Sequence, residues 1–461
     1  MQHNLDGHIF HAYDIRGTVG RQLNPDSVRL IASAFGSRFR REYENPTLVI
    51  GRDLRVSSQE FAAVAMEALR ATGCNVIDIG ECPTPVVYYA ISQWNAQGGI
   101  GITASHNPPQ YNGMKLRWGP GPFYGDQLLE LEQEARAGNF ATGNATYERR
   151  DIWPEYFEIT RSRLQLARKM KVVLDVGNAC GGLTAPKMFA DLGCEVETLY
   201  PEPNGHFPHR SPDPLVPEHI AVMTERVVAS GADLGIALDA DGDRIAVVDH
   251  LGQFLMPDLY MVPICDDVLR SGPATLVSEV RCSRAIIEFV ESRGGKVEMA
   301  ACGYPFILKR MAETNAAAGF ETTGHCYFND PYIKFDDASF GAARLICSLS
   351  RSDQSLHDLV QPLKDKWIPS PETRYTWPDD TDPAQTAGYV EQAKQHYAGR
   401  YEINETDGAR VEMEQGWALF RPSQTRPQLV VRWEGCGQDE RDRIGDELLG
   451  VLKGITGRDP D

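Results

Sequence analysis

Apolar runs that pass through a short turn into a helix recur along this chain, and that alternation constrains its fold more than any other feature. Thr47–Gly51 is one such run, and Ser57 with Glu60 three residues later has capping-box spacing for the helix that follows. Val172–Asp175 passes through Gly177 and Asn178 into a helix that takes in Met188 and Leu192. Thr275–Ser278 precedes a helix over Ala285–Val290, and Lys296–Met299 precedes another near Ile307–Met311. Strands alternating with helices need mostly parallel sheets covered on both faces. The chain therefore reads as α/β, with three successive α/β domains of mixed, mostly parallel sheet.

At 461 residues it is too long for one ordinary domain. Arg149–Pro154 marks a first boundary and Asp249–Gly252 a second, while Trp367–Pro371, with two prolines in five residues, reads as a linker. Beyond it come a polar helix near Ala384–Tyr397, paired strands at Gly416–Phe420 and Gln428–Arg432, and a last helix, which make a small C-terminal α+β domain. The expected division is 1–150, 151–252, 253–366 and 367–461.

Composition narrows the partners. A 42% hydrophobic and 24% charged chain is typical of soluble globular proteins. No apolar run approaches the roughly 18 residues of a membrane span, and the start has no basic-then-apolar leader. The ten cysteines are scattered without a CxxC pair, so reduced thiols in a cytoplasm are expected. A net charge of −18 repels nucleic acid, yet leaves room for a small phosphorylated ligand where cations converge. The sequence leaves the oligomeric state open.

Two loops carry the chemistry. Gly98–Thr103 reads as a buried strand, and Asn107-Pro108 fixes the loop after it, with Ser105 at its mouth as a nucleophile or phosphate carrier. Asp239, Asp241 and Asp243 follow the apolar run Leu234–Leu238, and alternate residues of an extended segment would turn all three carboxylates toward one hard cation. Gly242 lets that backbone bend. An EF-hand fails, because His250 stands where the bidentate Glu belongs. A haloacid-dehalogenase-type phosphatase would explain the acidic loop but give Ser105 no task. Arg421, Ser423 and Thr425 form a phosphate cradle. Glu321, Thr323 and His325, on one side of an extended segment, suit vicinal sugar hydroxyls. Tyr13–Gly17 and Asn112–Lys115 add cationic groups.

Taken in order, these pieces resemble the α-D-phosphohexomutase superfamily, most closely its bacterial phosphomannomutase/phosphoglucomutase branch. The resemblance runs through Tyr13–Gly17, Gly51–Asp53, Pro83–Pro85, Thr103–Pro108, Tyr111–Gly113 with Lys115, Phe207–Pro208, Pro212–Pro214, Asp239–Arg244, Glu321–His325, Asp336-Asp337 and Arg421–Pro427. It implies four domains around a central active-site cleft, the fourth mobile. It also implies an isomerase that interconverts hexose 1- and 6-phosphates of mannose or glucose. Ser105 would be a phosphoserine, with Mg²⁺ held by Ser105, Asp239, Asp241 and Asp243, and a hexose 1,6-bisphosphate intermediate, so that glucose 1,6-bisphosphate would act as activator. Arg244 would stabilise the transferring phosphoryl group, and Arg16, Lys115 and His325 would orient the attacking hydroxyl or move its proton. Tyr13, Arg281, Tyr304, Glu321, Thr323, His325, Arg421, Ser423 and Thr425 would bind the sugar phosphate. Phosphoglucosamine mutase and a silent sugar-phosphate-binding paralogue are the alternatives. Departures from the family pattern are Phe320 and Thr323 in the sugar loop, Arg281 and Tyr304 in the third domain, Gln424 and Arg426 in the phosphate loop, and Leu54.

Overall fold

The computed structural model describes residues 5–330, 334–378, 381–423 and 427–461. The chain packs as two units, one of Met1–Leu255 with Thr323–Asp353, the other of Met256–Thr322 with Gln354–Asp461.

The first unit contains two sheets. One runs in the order Ile15–Thr18, Tyr111–Trp118, Gly98–Ile102, Thr47–Arg52, Asn75–Glu81, Tyr147–Arg149. Its Gly98–Ile102, Thr47–Arg52 and Asn75–Glu81 strands are parallel, and Tyr111–Trp118 turns back antiparallel. Helix Pro25–Glu42 covers one face. Asn24 caps it and Ser27 returns the bond, so two otherwise unpaired amides are satisfied at its start. Its Phe35 and Phe39 enter a core with Phe61 and Leu69 of helix Ser58–Ala71, and Phe39 stacks on Trp118 with ring centres 3.9 Å apart. Ser57 precedes that second helix but makes no side-chain cap. Its hydroxyl accepts instead from Asn112 Nδ2 at 2.7 Å. A tertiary partner has displaced the expected capping box.

The second sheet runs Phe254–Leu255, Ile245–Asp249, Leu234–Leu238, Lys171–Asp175, Glu195–Leu199. Leu234–Leu238 and Ile245–Asp249 form an antiparallel hairpin, buried along its length, whose connection carries the three aspartates. Helix Ala338–Ser350 is buried on almost every side and anchored in the same unit. Ala338 N donates to Gly242 O at 3.1 Å, and the Tyr156 hydroxyl donates to Asp337, the helix cap, at 2.7 Å.

The second unit joins parallel strands Lys296–Ala300, Thr275–Glu279 and Ala318–Phe320 to an antiparallel sheet in the order Trp367–Pro369, Gln428–Cys436, Gly416–Pro422, Ala409–Met413, Glu402–Asn404. The segment expected to be a linker is thus an end strand of that sheet, with Trp367 opposite Cys436 and Pro369 opposite Glu434. Proline is tolerated there because an end strand has a side that needs no ladder donor. Helices Pro383–Tyr397 and Gln438–Thr456 contribute Val390, Ala393, Ile444 and Leu448 to its core. No helix among the described residues is long and apolar enough to cross a membrane. All ten cysteines are free thiols.

Candidate active site

Ser105 sits buried just beyond the Gly98–Ile102 strand, with φ at +49°, a backbone conformation that non-glycine residues rarely adopt. Arg55 holds it there. One guanidinium nitrogen donates to the carbonyls of Ser105 and Asn107, both at 2.6 Å, and the other to Pro108 at 2.8 Å and Tyr111 at 3.1 Å. Asp53 fixes the guanidinium through Nε at 3.0 Å. Thr103 Oγ1 accepts from Ser105 N at 2.9 Å. Four carbonyls gathered by one planar cation explain how the strained backbone is over-determined. The freed hydroxyl donates to Asp239 Oδ2 at 3.0 Å and lies 3.1 Å from His106 Nδ1.

The aspartate loop differs from the expected extended segment. It is a tight turn, with Gly242 N donating to Asp239 O at 3.3 Å and Gly242 at φ +73°. The convergence comes from this turn rather than from alternation along a strand, and carboxylate oxygens of Asp239, Asp241 and Asp243 lie within 4.8 Å of one another. Asp239 Oδ1 accepts the amides of Asp243 and Arg244 at 3.0 and 3.2 Å. Lys115 reaches Asp241 at 2.7 Å and also contacts Asp243, while Thr84 Oγ1 donates to Asp241 at 2.6 Å. Burial and then the neighbouring Asp243 and Asp241 carboxylates raise the pKa of Asp239 well above the usual range. Burial would lower that of Lys115, but Asp241 and Asp243 outweigh it and hold the ammonium charged.

Asp241 Oδ1 and Asp243 Oδ1 are buried and have no hydrogen-bond partner among the described residues. Buried unpaired carboxylate oxygens are costly. Placed beside a third carboxylate and a serine hydroxyl, they are a hard-oxygen donor set that fits a divalent cation.

Cations ring this centre. Arg16 is oriented by Asp14 at 2.6 Å and reaches Asn107 Oδ1 at 2.7 Å and Ala104 O at 3.3 Å, so it grips the serine loop from a second side. Tyr13 is half-buried in the bend before it. Arg244 Nε donates to His325 Nε2 at 3.0 Å, and His325 Nδ1 lies 2.8 Å from Asp336. The Glu321–His325 segment is a turn rather than extended backbone. Gly324, at φ +86°, leaves only 2.7 Å between a would-be Cβ and Ile245 O, so glycine is needed to deliver His325. Thr323 Oγ1 is buried without a hydrogen-bond partner among the described residues.

The first unit therefore brings together Ser105, the three aspartates, Lys115, Arg16, Arg244 and His325. Tyr13 and Thr323 belong to the same unit, whereas Arg281, Tyr304, Glu321, Arg421 and Ser423 lie in the second. There Arg281 Nε donates to Glu279 at 2.7 Å, and Glu279 also takes the amide of Thr322 at 2.8 Å. Burial would raise the pKa of Glu279, but Arg281 outweighs it and brings it down to about 2. Arg421 Nε donates to Asp407 at 2.8 Å, and the same oxygen takes the amide of Cys302 at 3.0 Å. Arg281 is near enough to Arg421 for their charges to act on each other. Glu321 accepts the amide of Gly303 at 2.9 Å, just before Tyr304 opens helix Tyr304–Thr314. Ser423 follows the Gly416–Pro422 strand, and its amide donates to Gln428 O at 2.8 Å. Thr425 lies outside the described residues. The contacts of Arg55, Thr84, Glu279 and Asp407 had no assignment from the sequence; of these, only Arg55 and Thr84 stand in or beside a quoted motif.

Comparison with known proteins bears directly on this geometry. Residues 7–142, 154–252 and 256–366 match, in turn, α/β/α domains I, II and III of phosphoglucomutase/phosphomannomutase. A phosphomannomutase/phosphoglucomutase of Pseudomonas aeruginosa is 36% identical over 452 residues, covering 98% of this chain and 96% of that protein. A phosphoglucomutase of Neisseria meningitidis is 33% identical over 458 residues, covering 98% of each. The crystal structure of a phosphoglucomutase/phosphomannomutase family protein from Burkholderia thailandensis superposes with a TM-score of 0.91 at 32% identity, covering 99% of both chains.

Proposed function

The chain belongs to the phosphoglucomutase/phosphomannomutase family, and from that premise we propose that it interconverts the 1- and 6-phosphates of glucose and mannose through a phosphorylated Ser105. The observation that carries the reading is the Ser105 hydroxyl, 3.0 Å from Asp239 within a set of three converging aspartates. The phosphoryl bond to Ser105 Oγ breaks as a bond to a sugar hydroxyl forms, and the proton lost by that hydroxyl is balanced by one taken up at Ser105 Oγ. The resulting hexose 1,6-bisphosphate returns its other phosphoryl group to Ser105, and glucose 1,6-bisphosphate serves as activator.

Asp239, Asp241, Asp243 and Ser105 would hold Mg²⁺, which when bound withdraws charge from the phosphoryl group. Arg244 stabilises charge on the transferring group. Arg16, Lys115 and His325 orient the attacking hydroxyl or move its proton. Glu321, Thr323 and His325 bind sugar hydroxyls, Arg421, Ser423 and Thr425 the distal phosphate, and Tyr13, Arg281 and Tyr304 complete the substrate contacts. The division at 150, 252 and 366, and a cytoplasmic setting, belong to the same reading.

Glucose and mannose phosphates differ only at C2, and no side chain here is assigned to that position. One neutral hydrogen bond is worth about 0.5–1.5 kcal/mol, so the two 1-phosphates should be used within about two decades of each other in kcat/KM. The test is a panel of hexose 1-phosphates assayed with Mg²⁺ and glucose 1,6-bisphosphate. A preference for one epimer beyond about 10⁴ would reveal a dedicated C2 contact and refute the dual assignment.

A further inference from the structure

In the first sheet, the chain leaves Thr47–Arg52 for helix Ser58–Ala71 and returns beside it as Asn75–Glu81. It then passes through helix Thr84–Gln93 and returns on the opposite side of the first strand, as Gly98–Ile102. Right-handed crossovers in opposite directions put those two helices on opposite faces. The core agrees, since it includes Phe61 and Leu69 of the first helix and no residue of the second. The carboxyl ends of Thr47–Arg52 and Asn75–Glu81 therefore part at a switch point, where open α/β sheets take ligands. Ser105 hangs from the neighbouring strand, and the cavity at this switch point has none of the residues placed at the phosphoryl-transfer centre in its lining.

A cavity of about 510 Å³ opens there, lined by Arg52, Gly80, Glu81, Arg149, Trp153 and Lys187 among others. Arg52 Nε is buried and has no hydrogen-bond partner among the described residues, and its nearest carboxylate, Asp78, is 3.6 Å from Nη1. The Arg149 guanidinium lies over Gly80, 3.5 Å from where a Cβ would stand, and Gly80 is at φ +79°. Arg149 stands opposite Asp78 in the sheet, and its side chain makes no hydrogen bond or ion pair among the described residues. Lys187 lies 5.1 Å from the Phe157 ring centre and pairs with Asp191 at 2.7 Å. Trp153 and Phe157 stack at 5.9 Å with 26° between their planes, which makes a flat aromatic wall. Glu81, the last residue of its strand, puts a carboxylate on the same cavity.

We propose that this crevice binds a nucleoside diphosphate or triphosphate, the base against Trp153 and the phosphates on Arg52, Arg149 and Lys187. Three cations and one carboxylate line the cavity, and because Asp78 stands by Arg52 and Asp191 pairs with Lys187, Arg149 is the lining cation without an ion pair. Guanidinium groups suit phosphate oxygens, an aromatic wall suits a planar base, and a strand-end carboxylate accepts from ribose hydroxyls. The volume is that of a small-molecule site. A hexose monophosphate has no second phosphate, and neither it nor a hexose bisphosphate has a planar ring.

Calorimetric titration of the full chain with ADP and GDP tests this, with pyrophosphate and glucose 1-phosphate as separate arms. Saturable nucleotide binding is expected, weakened at least about tenfold by Arg149→Glu and by Trp153→Leu, and retained in Ser105→Ala. Arg149→Glu should keep the wild-type melting temperature and its nucleotide-free mutase rate. Absence of saturable binding at millimolar nucleotide overturns the proposal, as does unchanged affinity in Arg149→Glu. Pyrophosphate binding as tightly as ADP, with no dependence on Trp153, overturns the nucleotide assignment. Displacement of nucleotide by glucose 1-phosphate would place it in the sugar-phosphate site and overturn it equally.

Discussion

The buried carboxylates of Asp239, Asp241 and Asp243 in the first unit converge on one another, whereas Glu279 and Asp407 in the second each converge on an arginine. Asp241 and Asp243 share one lysine directly, and one oxygen of each has no donor among the described residues. Glu279 and Asp407 are buried too, yet each takes one arginine and one backbone amide. Like charges crowded out of water repel strongly unless a cation joins them, while an opposed pair is stable where it stands. The same residue type thus does two jobs. The three aspartates form a donor set that fits a cation, whereas Glu279 and Asp407 orient Arg281 and Arg421.

The sharpest way to break this contrast is through Ser105. Ser105→Ala should lose at least about four decades of turnover and the phosphate-sized mass adduct, because the group that carries the phosphoryl is gone. A variant that retained turnover would leave the aspartate receptacle with no phosphoryl group to serve.

Asp239→Asn and Asp407→Asn should then move stability in opposite directions without metal. The first relieves repulsion among three acids, so the metal-free melting temperature should hold or rise, while the increase on adding Mg²⁺ should vanish. The second strands the buried Arg421 guanidinium and should cost about 3–5 kcal/mol, metal or not. Thermal melts with and without chelator measure both. Equal losses in the two variants would show that the clusters are built on one logic.

A smaller effect is expected of Arg421→Ala, which forfeits a charge-assisted contact of about 1.5–3 kcal/mol and so about one to two decades in kcat/KM. Its Mg²⁺-dependent melting shift should match that of the wild type. If metal binding fell as well, the division of labour between the clusters would be wrong.

The smallest effect concerns acidity. Burial raises the pKa of Asp337, in the first unit, to about 6. A raised carboxyl pKa contributes stability that is present below the unfolded value near 4 and lost as pH climbs through 6. Glu279, lowered to about 2, contributes with the opposite sign, fully above its unfolded value and lost toward pH 2. Asp337→Asn should therefore gain on the wild type between pH 4 and pH 6, by at most about 3 kcal/mol. A pH-independent difference in chemical denaturation would contradict this.

Much of the chain was legible because its signals are local. The Thr47–Gly51 and Leu234–Leu238 runs are strands as their apolar patterns require, and Gly242 takes the bend that its lack of a side chain permits. What escaped depended on partners far along the chain. Ser57 spends its hydroxyl on Asn112, Thr84 spends its own on Asp241, and Arg55 gathers carbonyls as distant as Tyr111. Even Asp407, fourteen residues before Arg421, has no spacing rule that couples it to that arginine. Trp367–Pro369 misled for a related reason: proline density reads as a linker until a neighbouring strand supplies the ladder. The Asp239–Asp243 carboxylates converged as expected, but through a turn that alternation does not describe.

Helix Ala338–Ser350 bears on how the protein is made. Its first amide ties down Gly242, its Ser339 hydroxyl meets that of Thr184 at 2.7 Å, and its cap Asp337 receives Tyr156, all parts of the first unit. During synthesis those earlier parts leave the ribosome well before the helix does, and residues 256–322, which fold into the other unit, emerge in between. The nascent chain must therefore keep the Leu234–Asp249 hairpin incompletely covered until translation has passed Ser350. Slowing elongation after residue 255 should prolong exposure of that apolar surface and increase the demand for chaperones.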